Sequence, residues 1–341
     1  MNKYKSFRKL ILLIILFLFV ITLTFVISYS STIRKPLKST EDSIIIEVKQ
    51  GEGFYDILDK LDKENKLTNK LLIKVNLAID KRKVNLTEGI YEINTNSSLE
   101  ELIKSLENKD GDKDLVKLTI PEGYSIEDIA KSVEDKGICS KDEFIKDVKD
   151  YKLPSFVKNN NKKRYNLEGY LYPDTYLIEK GSNANDVIKS MLDRFEDVLK
   201  QAEDETKVEI SDEDVEKIVT IASMIEREAR VPGDRPLISS VIYNRLEKDM
   251  KLQIDAAVIY ALGYHVDVVL NKHLEVDSPY NVYKYKGLPV GPIANPGLDC
   301  IKAALLPEKT DYLYYIMKDD GSHYFTNNYE DFLNKKKELG Y

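Results

Sequence analysis

The sequence predicts an α+β chain, and three of its features carry that prediction. An uninterrupted apolar run follows a short basic tail, and two later stretches have the pattern strand–helix–helix–strand. Helical periodicity dominates from about residue 211 to about 262, and the chain ends with a predicted hairpin of strands at 312–317 and 323–326 around Asp319-Asp320-Gly321. A length of 341 residues is enough for two or three domains. We therefore expect an N-terminal transmembrane helix, two small strand–helix units and a larger mixed α/β domain.

The N-terminal segment has the pattern of a membrane anchor. Residues 1–9 include four basic side chains and are expected to be a cytoplasmic tail, whereas residues 10–27 contain no charge. That apolar run is about long enough to cross a bilayer as a helix. A cleavable signal peptide, with a weak cleavage site at 28–30, is the alternative, but its apolar region is usually shorter. We predict a retained anchor at 10–30, so that everything after residue 30 lies outside the cell membrane.

The segment after the anchor predicts a linker and two related units. Residues 31–43 are polar and predict a linker. Residues 44–110 predict a strand, two helices, a strand and a further short helix, and residues 111–205 partly repeat this pattern, with Glu122-Gly123 echoing Glu52-Gly53. The plan resembles that of small glycan-binding modules of the LysM type. A structural spacer that binds no sugar is an equally acceptable interpretation.

Composition excludes some classes of function. The net charge is −7, and an acidic chain is a poor binder of nucleic acid because phosphate contacts need Lys and Arg; a solvated surface accounts for the charge most simply. The two cysteines, Cys139 and Cys300, form no disulfide framework, and the histidines His265, His273 and His323 lack metal-ligand spacing. We therefore expect no metal and no cofactor.

The region 206–341, which we predict to be the catalytic domain, contains a carboxylate in an unexpected position. A helix is predicted from the N-cap residue Ser211 to Arg230, before Pro232-Gly233. Glu226 falls in the middle of its apolar stripe, whereas Glu228 lies nearer the polar side. The stripe consists of Val215, Ile218, Val219, Ala222, Ile225 and Ala229.

A carboxyl group on a buried face tends to keep its proton, which is what a general acid requires. Two structural interpretations stay open for Glu226. It is either a buried partner of an arginine, or the last residue of a capping box that starts a later helix at Ser223.

The next elements offer further polar candidates. Arg245 lies on the apolar face of the following predicted helix, with Asn244 at its border, and alternation places Gln253 and Asp255 on one face. Arg245 is either a structural ion-pair partner or a group that orients a carboxylate or contacts substrate. Asp255 is either a second catalytic carboxylate or the N-cap of a helix at 256–262. A Pro-, Gly- and Tyr-rich loop at 277–297 is suited to stacking on sugar rings, but such a loop also occurs for structural reasons alone, and both interpretations stay open.

Together these residues resemble the MltG-type (YceG-like) endolytic murein transglycosylases over the length of the chain. Small departures from the family pattern, at Ala257, Val282 and Val290, affect only details of the loops. The matching stretches, in the order of the family, are LEGYLYPDTY (167–176), IASMIERE (221–228), VIYNRLEKDMKLQID (241–255), SPYNVYKYKGLPVGPIANPG (278–297) and DGSHYFTNNYEDF (320–332).

The resemblance implies a membrane anchor, a LysM-like region and a YceG-like catalytic domain outside the membrane. Its substrate would be peptidoglycan glycan strands, its partners the peptidoglycan synthases of elongation or division, and its process cell-wall biogenesis or degradation. The catalytic residue would be Glu226. The residues that would shape the cleft are Asn244, Arg245, Gln253, Asp255, Ser278, Tyr280, Asn281, Tyr283 and Asn295.

The reaction that the resemblance implies is lyase-like cleavage of the β-1,4 bond between N-acetylmuramic acid and N-acetylglucosamine. Glu226 would protonate the leaving oxygen and then, as a base, accept a proton from the C6 hydroxyl of the muramic acid, leaving a 1,6-anhydro end. Two alternatives stay open: a muramidase that uses water, with Asp255 as base or nucleophile, and a non-catalytic wall-binding scaffold.

Overall fold

The computed structural model describes residues 2–107, 115–264, 266 and 268–340, with side chains from residue 13 onward except that of residue 14. The described chain forms two compact units, Met1–Leu115 and Val116–Tyr341. The predicted boundary at 110–111 and one of the three histidines, His265, lie outside the described residues. The units differ from the predicted domains, since the second strand–helix unit and the catalytic region share one core within the second unit.

The first unit has the predicted order strand, helix, helix, strand, preceded by a long helix and followed by a short one. Strands β1 and β2 pair antiparallel, with Ile44 opposite Ile93. The apolar sides of the helices close over that ribbon to form the core of this unit. The elements are α1 (Asn2–Arg34), β1 (Ser43–Val48), α2 (Phe54–Lys63), α3 (Lys70–Ile79), β2 (Gly89–Asn94) and α4 (Leu99–Glu107).

Helix α1 continues past the predicted anchor and into the first unit. Its part Ile15–Arg34 is long and apolar enough to cross a membrane, and its apolar side chains are largely exposed. Its last turn packs into the core of the unit, where Thr32 is buried and Ile33 contacts the core cluster. Leu37, only 1% exposed, then pairs through its backbone with Leu67. The segment predicted as a linker is therefore partly helix and partly core, because its few apolar residues are buried.

In the second unit, helices pack around one large hydrophobic core. Strand β3 pairs with β4, and β5 pairs antiparallel with β6 in the predicted hairpin, although β5 begins two residues later than expected. The elements are β3 (Leu115–Thr119), α5 (Ile126–Asp135), α6 (Lys141–Asp150), β4 (Thr175–Glu179), α7 (Ala184–Thr206), α8 (Asp212–Glu228), α9 (Arg235–Glu247), α10 (Asp255–Leu262), α11 (Leu298–Leu305), β5 (Tyr314–Met317), β6 (His323–Thr326) and α12 (Tyr329–Glu338).

Helix α8 is the central element of the second unit. It packs against α9, α10 and α11, so Ile221 and Met224, which lie beside the predicted stripe, are also fully buried. The helix is continuous through Ser223, whose hydroxyl donates to the Thr220 carbonyl oxygen at 2.8 Å. A capping box starting at Ser223 was therefore a wrong alternative. Ser211 is the N-cap residue by position, but its hydroxyl donates to the Asp214 side chain at 2.7 Å and does not accept from the backbone.

Candidate active site

Glu226 lies near the C-terminal end of α8, half-buried against the start of α11. Its Oε2 accepts a hydrogen bond from the backbone N–H of Gly297, the N-cap residue of α11, at 3.0 Å. Among the described residues no lysine or arginine lies within ion-pair distance of this carboxylate, so the alternative of a buried glutamate paired with arginine was wrong. A carboxylate at a helix N-terminus is stabilised in its charged form by the helix dipole and the N–H donor.

A second carboxyl group, that of Glu122, lies beside Glu226. It is held by the turn at Gly123, whose φ of +78° suits glycine and whose added Cβ would lie 3.5 Å from Glu226 Cγ. The Glu122 carboxyl lies so close to Gly297 that a Cβ at position 297 would overlap it. Although much of the Glu122 side chain is exposed, desolvation of its carboxyl, followed by the nearby charge of Glu226, raises its pKa above the usual value. The site therefore contains a carboxyl group, that of Glu122, whose ionisation is disfavoured by the neighbouring charge of Glu226.

Two backbone hydrogen bonds bring Gly123 and Gly297 together. The N–H of Gly123 donates to the Asn295 carbonyl oxygen at 2.9 Å, and the N–H of Asn295 donates to the Tyr124 carbonyl oxygen at 2.8 Å. The fully buried Asn295 side chain extends the connection, since its Oδ1 accepts from the Leu171 N–H at 2.9 Å. Asn295, a predicted substrate contact, thus holds the loop that carries Gly297, because its amide group is fully used inside the protein.

Glu168 supports this loop from the interior. It is 1% exposed, accepts from the N–H of Ile126 at 3.0 Å and from the hydroxyl of Tyr260 at 2.9 Å, and contacts the Asn295 side-chain amide at 3.2 Å. Burial raises the pKa of Glu168 to about 8. At neutral pH this carboxyl is therefore mostly protonated, and it joins α5, α10 and the loop before α11 without a buried charge.

Glu228, at the last position of α8, has surroundings that its sequence position did not predict. Its carboxyl accepts from the Tyr315 hydroxyl at 3.1 Å and from the backbone N–H of Ala256. Burial, and to a smaller extent the negative charge of Asp255, raise the pKa of Glu228 to about 7. Placing Glu228 on the polar side was wrong, because strand β5 and the start of α10 cover this end of the helix.

Asp255 is exposed at the first residue of α10 and does not cap it. The N-cap residue is Ile254, and Asp255 Oδ1 instead accepts from the Tyr283 hydroxyl at 2.5 Å. Burial raises the pKa of that phenol, and its hydrogen bond to Asp255 adds to the effect. The structure therefore brings two of the predicted cleft residues, Asp255 and Tyr283, into contact beside Glu228.

Arg245 and Asn244 make backbone contacts that fix loops. The Arg245 guanidinium donates to the carbonyl oxygens of Leu313 at 2.6 Å and Leu252 at 2.7 Å, lies over the Tyr314 ring, and reaches Gln253 Oε1 at 3.4 Å. The Asn244 amide donates to two further carbonyl oxygens, both at 2.9 Å. Within the described residues neither side chain pairs with a carboxylate, so the ion-pair interpretation of Arg245 was wrong.

Gln253 is exposed and has a φ of +53°, an uncommon conformation for a residue other than glycine. Its backbone N–H donates to the Val282 carbonyl oxygen at 3.2 Å, which ties the segment before α10 to the long loop. Backbone strain of this kind often occurs where a side chain is held for function.

The other predicted loop residues lie mostly inside the second unit. The Asn281 amide donates to two carbonyl oxygens of its own loop, both at 2.8 Å, and Ser278 Oγ accepts from the Tyr280 N–H at 3.3 Å. The Tyr280 ring packs edge-on against Tyr260 with centroids 4.8 Å apart. These contacts shape the loop. Of the predicted set, Gln253 and Asp255 are exposed, Asn244, Ser278 and Tyr283 are half-buried, and the others are buried.

The chemistry of the site is that of carboxyl groups. The part of the chain that the structure describes contains no group of three or more His, Cys, Asp or Glu side chains arranged to hold a metal ion. An open depression of about 380 Å³ lies near α11, lined by charged residues that pair with one another, and Glu226 is not part of its lining. Glu122 does not line it either, although two of its lining residues, Arg235 and Asp299, are close enough to Glu122 to affect the pKa of that carboxyl group. Its charged lining residues are Glu205, Arg235, Asp299 and Lys302.

Sequence reasoning missed Glu122, Glu168 and Glu228 as members of this region. Glu122 follows Pro121 directly before Gly123, and Glu168 directly precedes Gly169. A glutamate directly before a glycine was the signal that the sequence offered, but the pattern was interpreted only as part of an internal repeat. No such signal marks Glu228, because the residues that pack around it, Tyr315 and Ala256, are distant in sequence.

Comparisons with known proteins give consistent results. The model of the YceG-like family matches residues 46–338. An endolytic murein transglycosylase of Bacillus subtilis is 34% identical over 323 residues, which are 91% of this chain and 88% of that protein. One from Streptococcus pneumoniae is 31% identical over 84% of this chain, which spans 57% of that protein's length. A crystal structure of a yceG-like protein from Listeria monocytogenes, 34% identical, matches with a TM-score of 0.58 over 87% of this chain and 100% of that one.

Proposed function

Since the chain belongs to the YceG-like family, as its sequence motifs predicted, we propose that it is an endolytic murein transglycosylase of the cell surface. It cleaves the bond between N-acetylmuramic acid and N-acetylglucosamine inside peptidoglycan glycan strands. The observation that carries the proposal is the position of Glu226, half-buried at the end of α8, unpaired with any described cation, beside a second carboxyl group.

Glu226 acts first as an acid in this mechanism. Burial and, after it, the charge of Glu226 raise the pKa of the neighbouring Glu122, so the group beside Glu226 keeps its proton more readily than an exposed carboxyl group does. Glu226 donates its own proton to the leaving glycosidic oxygen as the sugar develops oxocarbenium character.

Glu226 then acts as a base. Once it has lost its proton, the N–H of Gly297 at 3.0 Å and the N-terminus of α11 stabilise the carboxylate. The muramic acid C6 hydroxyl attacks C1 and gives its proton to Glu226, which restores the acid and leaves a 1,6-anhydro end. The attacking group belongs to the substrate, so no second protein nucleophile is needed.

The N-terminal helix supports a surface location. We infer that α1 is a retained single-pass anchor with its N-terminus in the cytoplasm, because its apolar side chains are exposed and four basic residues precede them. The first unit has the strand–helix–helix–strand order of a LysM-like module, and we propose that it binds glycan. Tyr55 on α2 is 51% exposed and offers a ring for stacking on a sugar.

A product analysis tests the activity. The full chain in detergent is incubated with purified glycan strands, and the products are identified by mass spectrometry. We expect internal cuts with 1,6-anhydro ends, reduced by about 10²- to 10⁴-fold in Glu226→Gln, because a positioned general acid contributes about that much. Glu213→Gln, which changes an exposed glutamate of the same helix, is the matched control and keeps full activity.

The alternatives give different products. Reducing ends, together with loss of activity in Asp255→Asn, would indicate a muramidase that uses water. Strand binding without any cut, unchanged by Glu226→Gln, would indicate a scaffold. Either result would contradict the transglycosylase mechanism.

A further inference from the structure

One side of helix α3 is apolar and exposed, although the helix belongs to a compact unit. Leu71 is 70% exposed and Ile79 is 67% exposed. At about 100° per residue, these two side chains and those of Val75 and Ala78 fall within an arc of about 100°. The side chains that α3 buries in the core of the first unit, Leu72, Ile73 and Leu77, lie on its other side. The helix therefore has two apolar sides, of which the protein covers only one.

The position of α3 relative to the anchor indicates what covers the other side. The Asn76 amide donates to the hydroxyl of Tyr29 at 2.8 Å, and Tyr29 lies two residues after the apolar run that ends at Ile27. With a rise of about 1.5 Å per residue, this contact lies within a few ångströms of the end of that run. Tyrosine is enriched at this level of a membrane, in the headgroup region. Helix α3 thus packs on the anchor where the hydrocarbon core ends.

The position of the core of the first unit along α1 indicates which side of α3 faces the membrane. The residues of α1 that enter the core of the first unit, Thr32 and Ile33, come after Tyr29 and so lie farther from the membrane. Since α3 contacts the earlier residue Tyr29, it lies on the membrane side of that core. The side of α3 that faces away from the core then faces the lipid.

Basic residues close to the exposed apolar side of α3 are consistent with contact to anionic lipid headgroups. The exposed Lys81 and Lys83 follow α3 after its exposed C-cap residue Asp80, and Arg82 between them pairs with Glu107. Cationic side chains beside an apolar helix surface are attracted to anionic headgroups, by about 1 kcal/mol for each residue near the surface. An apolar surface flanked by lysines matches the pattern of helices that lie in the membrane interface.

We propose that the exposed side of α3, formed by Leu71, Val75, Ala78 and Ile79, is seated in the outer surface of an anionic phospholipid bilayer. This proposal rests on the anchor inferred above, but not on the catalytic activity. Because α1 runs without a break into the core, the first unit is held directly on the lipid. It is not free to swing on a flexible tether.

The absence of tryptophan from the sequence allows a direct test. Leu71→Trp and Ile79→Trp each introduce a single tryptophan, which can be excited selectively over the tyrosines, and Tyr55→Trp, at an exposed position on α2, is the matched control. The full-length variants are reconstituted in vesicles of phosphatidylcholine and phosphatidylglycerol, with or without phosphatidylcholine brominated in its acyl chains. Iodide is the aqueous quencher, and flotation of the vesicles measures whether the chain is anchored.

We expect brominated lipid to quench positions 71 and 79 at least about twofold more strongly than position 55, because interfacial helices bury their apolar face at the headgroup–acyl boundary. Iodide should show the reverse order. Quenching by brominated lipid no stronger than at position 55, or full access of iodide in chains that float, would overturn the seating of α3 alone. Chains that do not float would overturn the anchor as well. Neither result bears on glycan cleavage, which the product analysis measures separately.

Discussion

Replacing Glu168 with glutamine tests the buried connection under the active site. In the folded chain the pKa of Glu168 is about 8, against an ordinary value of 4.5. Between these values the folded protein keeps a proton that the unfolded chain has released. The unfolding free energy therefore decreases as pH rises through this window, by at most about 1.4 kcal/mol per pH unit from this one residue. Below pH 4.5 both states are protonated, and above about pH 8 the loss is complete.

Glutamine cannot ionise, and it resembles the protonated acid. Its amide oxygen can accept from the N–H of Ile126 while its amide group donates to the Tyr260 oxygen, so the local packing is kept. We expect Glu168→Gln to gain stability relative to the unmodified chain as pH rises from 4.5 to about 8, with no further gain above that.

Thermal unfolding of the full chain in detergent, followed by circular dichroism over a series of pH values, measures the difference in Tm between the two proteins. Glu213→Gln, at an exposed position on α8, is the control for a general effect of charge removal. Parallel Tm curves for Glu168→Gln and the unmodified chain would refute the assignment of a protonated buried carboxyl.

Two further predictions concern the carboxyl pair and the loop beside it. In Glu226→Gln the pKa of Glu122 should fall toward its usual value, because one of the causes that raise it is removed. A ¹³C NMR titration of the Glu122 carboxyl measures this, and an unchanged pKa would exclude direct coupling of the two groups. Gly169→Ala should lower the unfolding free energy by about 2–4 kcal/mol, because Gly169 has a φ of +90° and a Cβ there would lie 2.5 Å from Pro292 Cβ and 2.8 Å from Val219 Cγ1. Denaturant unfolding measures the second effect, and Gly181→Ala is its control, since position 181 has a similar φ but open space for a Cβ.

The local pattern of the chain was enough to find the elements and one residue of the site. Helical periodicity placed Glu226 on the buried side of α8, and the turn at Asp319–Gly321 predicted the hairpin of β5 and β6. Both depend on interactions between residues a few positions apart, which a repeat of 3.6 or 2 residues encodes directly.

What surrounds Glu226 depended on the tertiary structure. Glu122 precedes it by about a hundred residues and Gly297 follows it by seventy-one, and the loop held by Asn295 brings both to it. The surroundings of Glu228 also depended on the tertiary structure. Its position on the helix predicts an exposed side chain, but β5 and the start of α10 pack against it. The sequence by itself determined which side of each helix is apolar, because the spacing of apolar residues is local. Only the tertiary structure decided which distant residues pack against that side, and therefore which charges and hydrogen bonds surround these carboxyl groups.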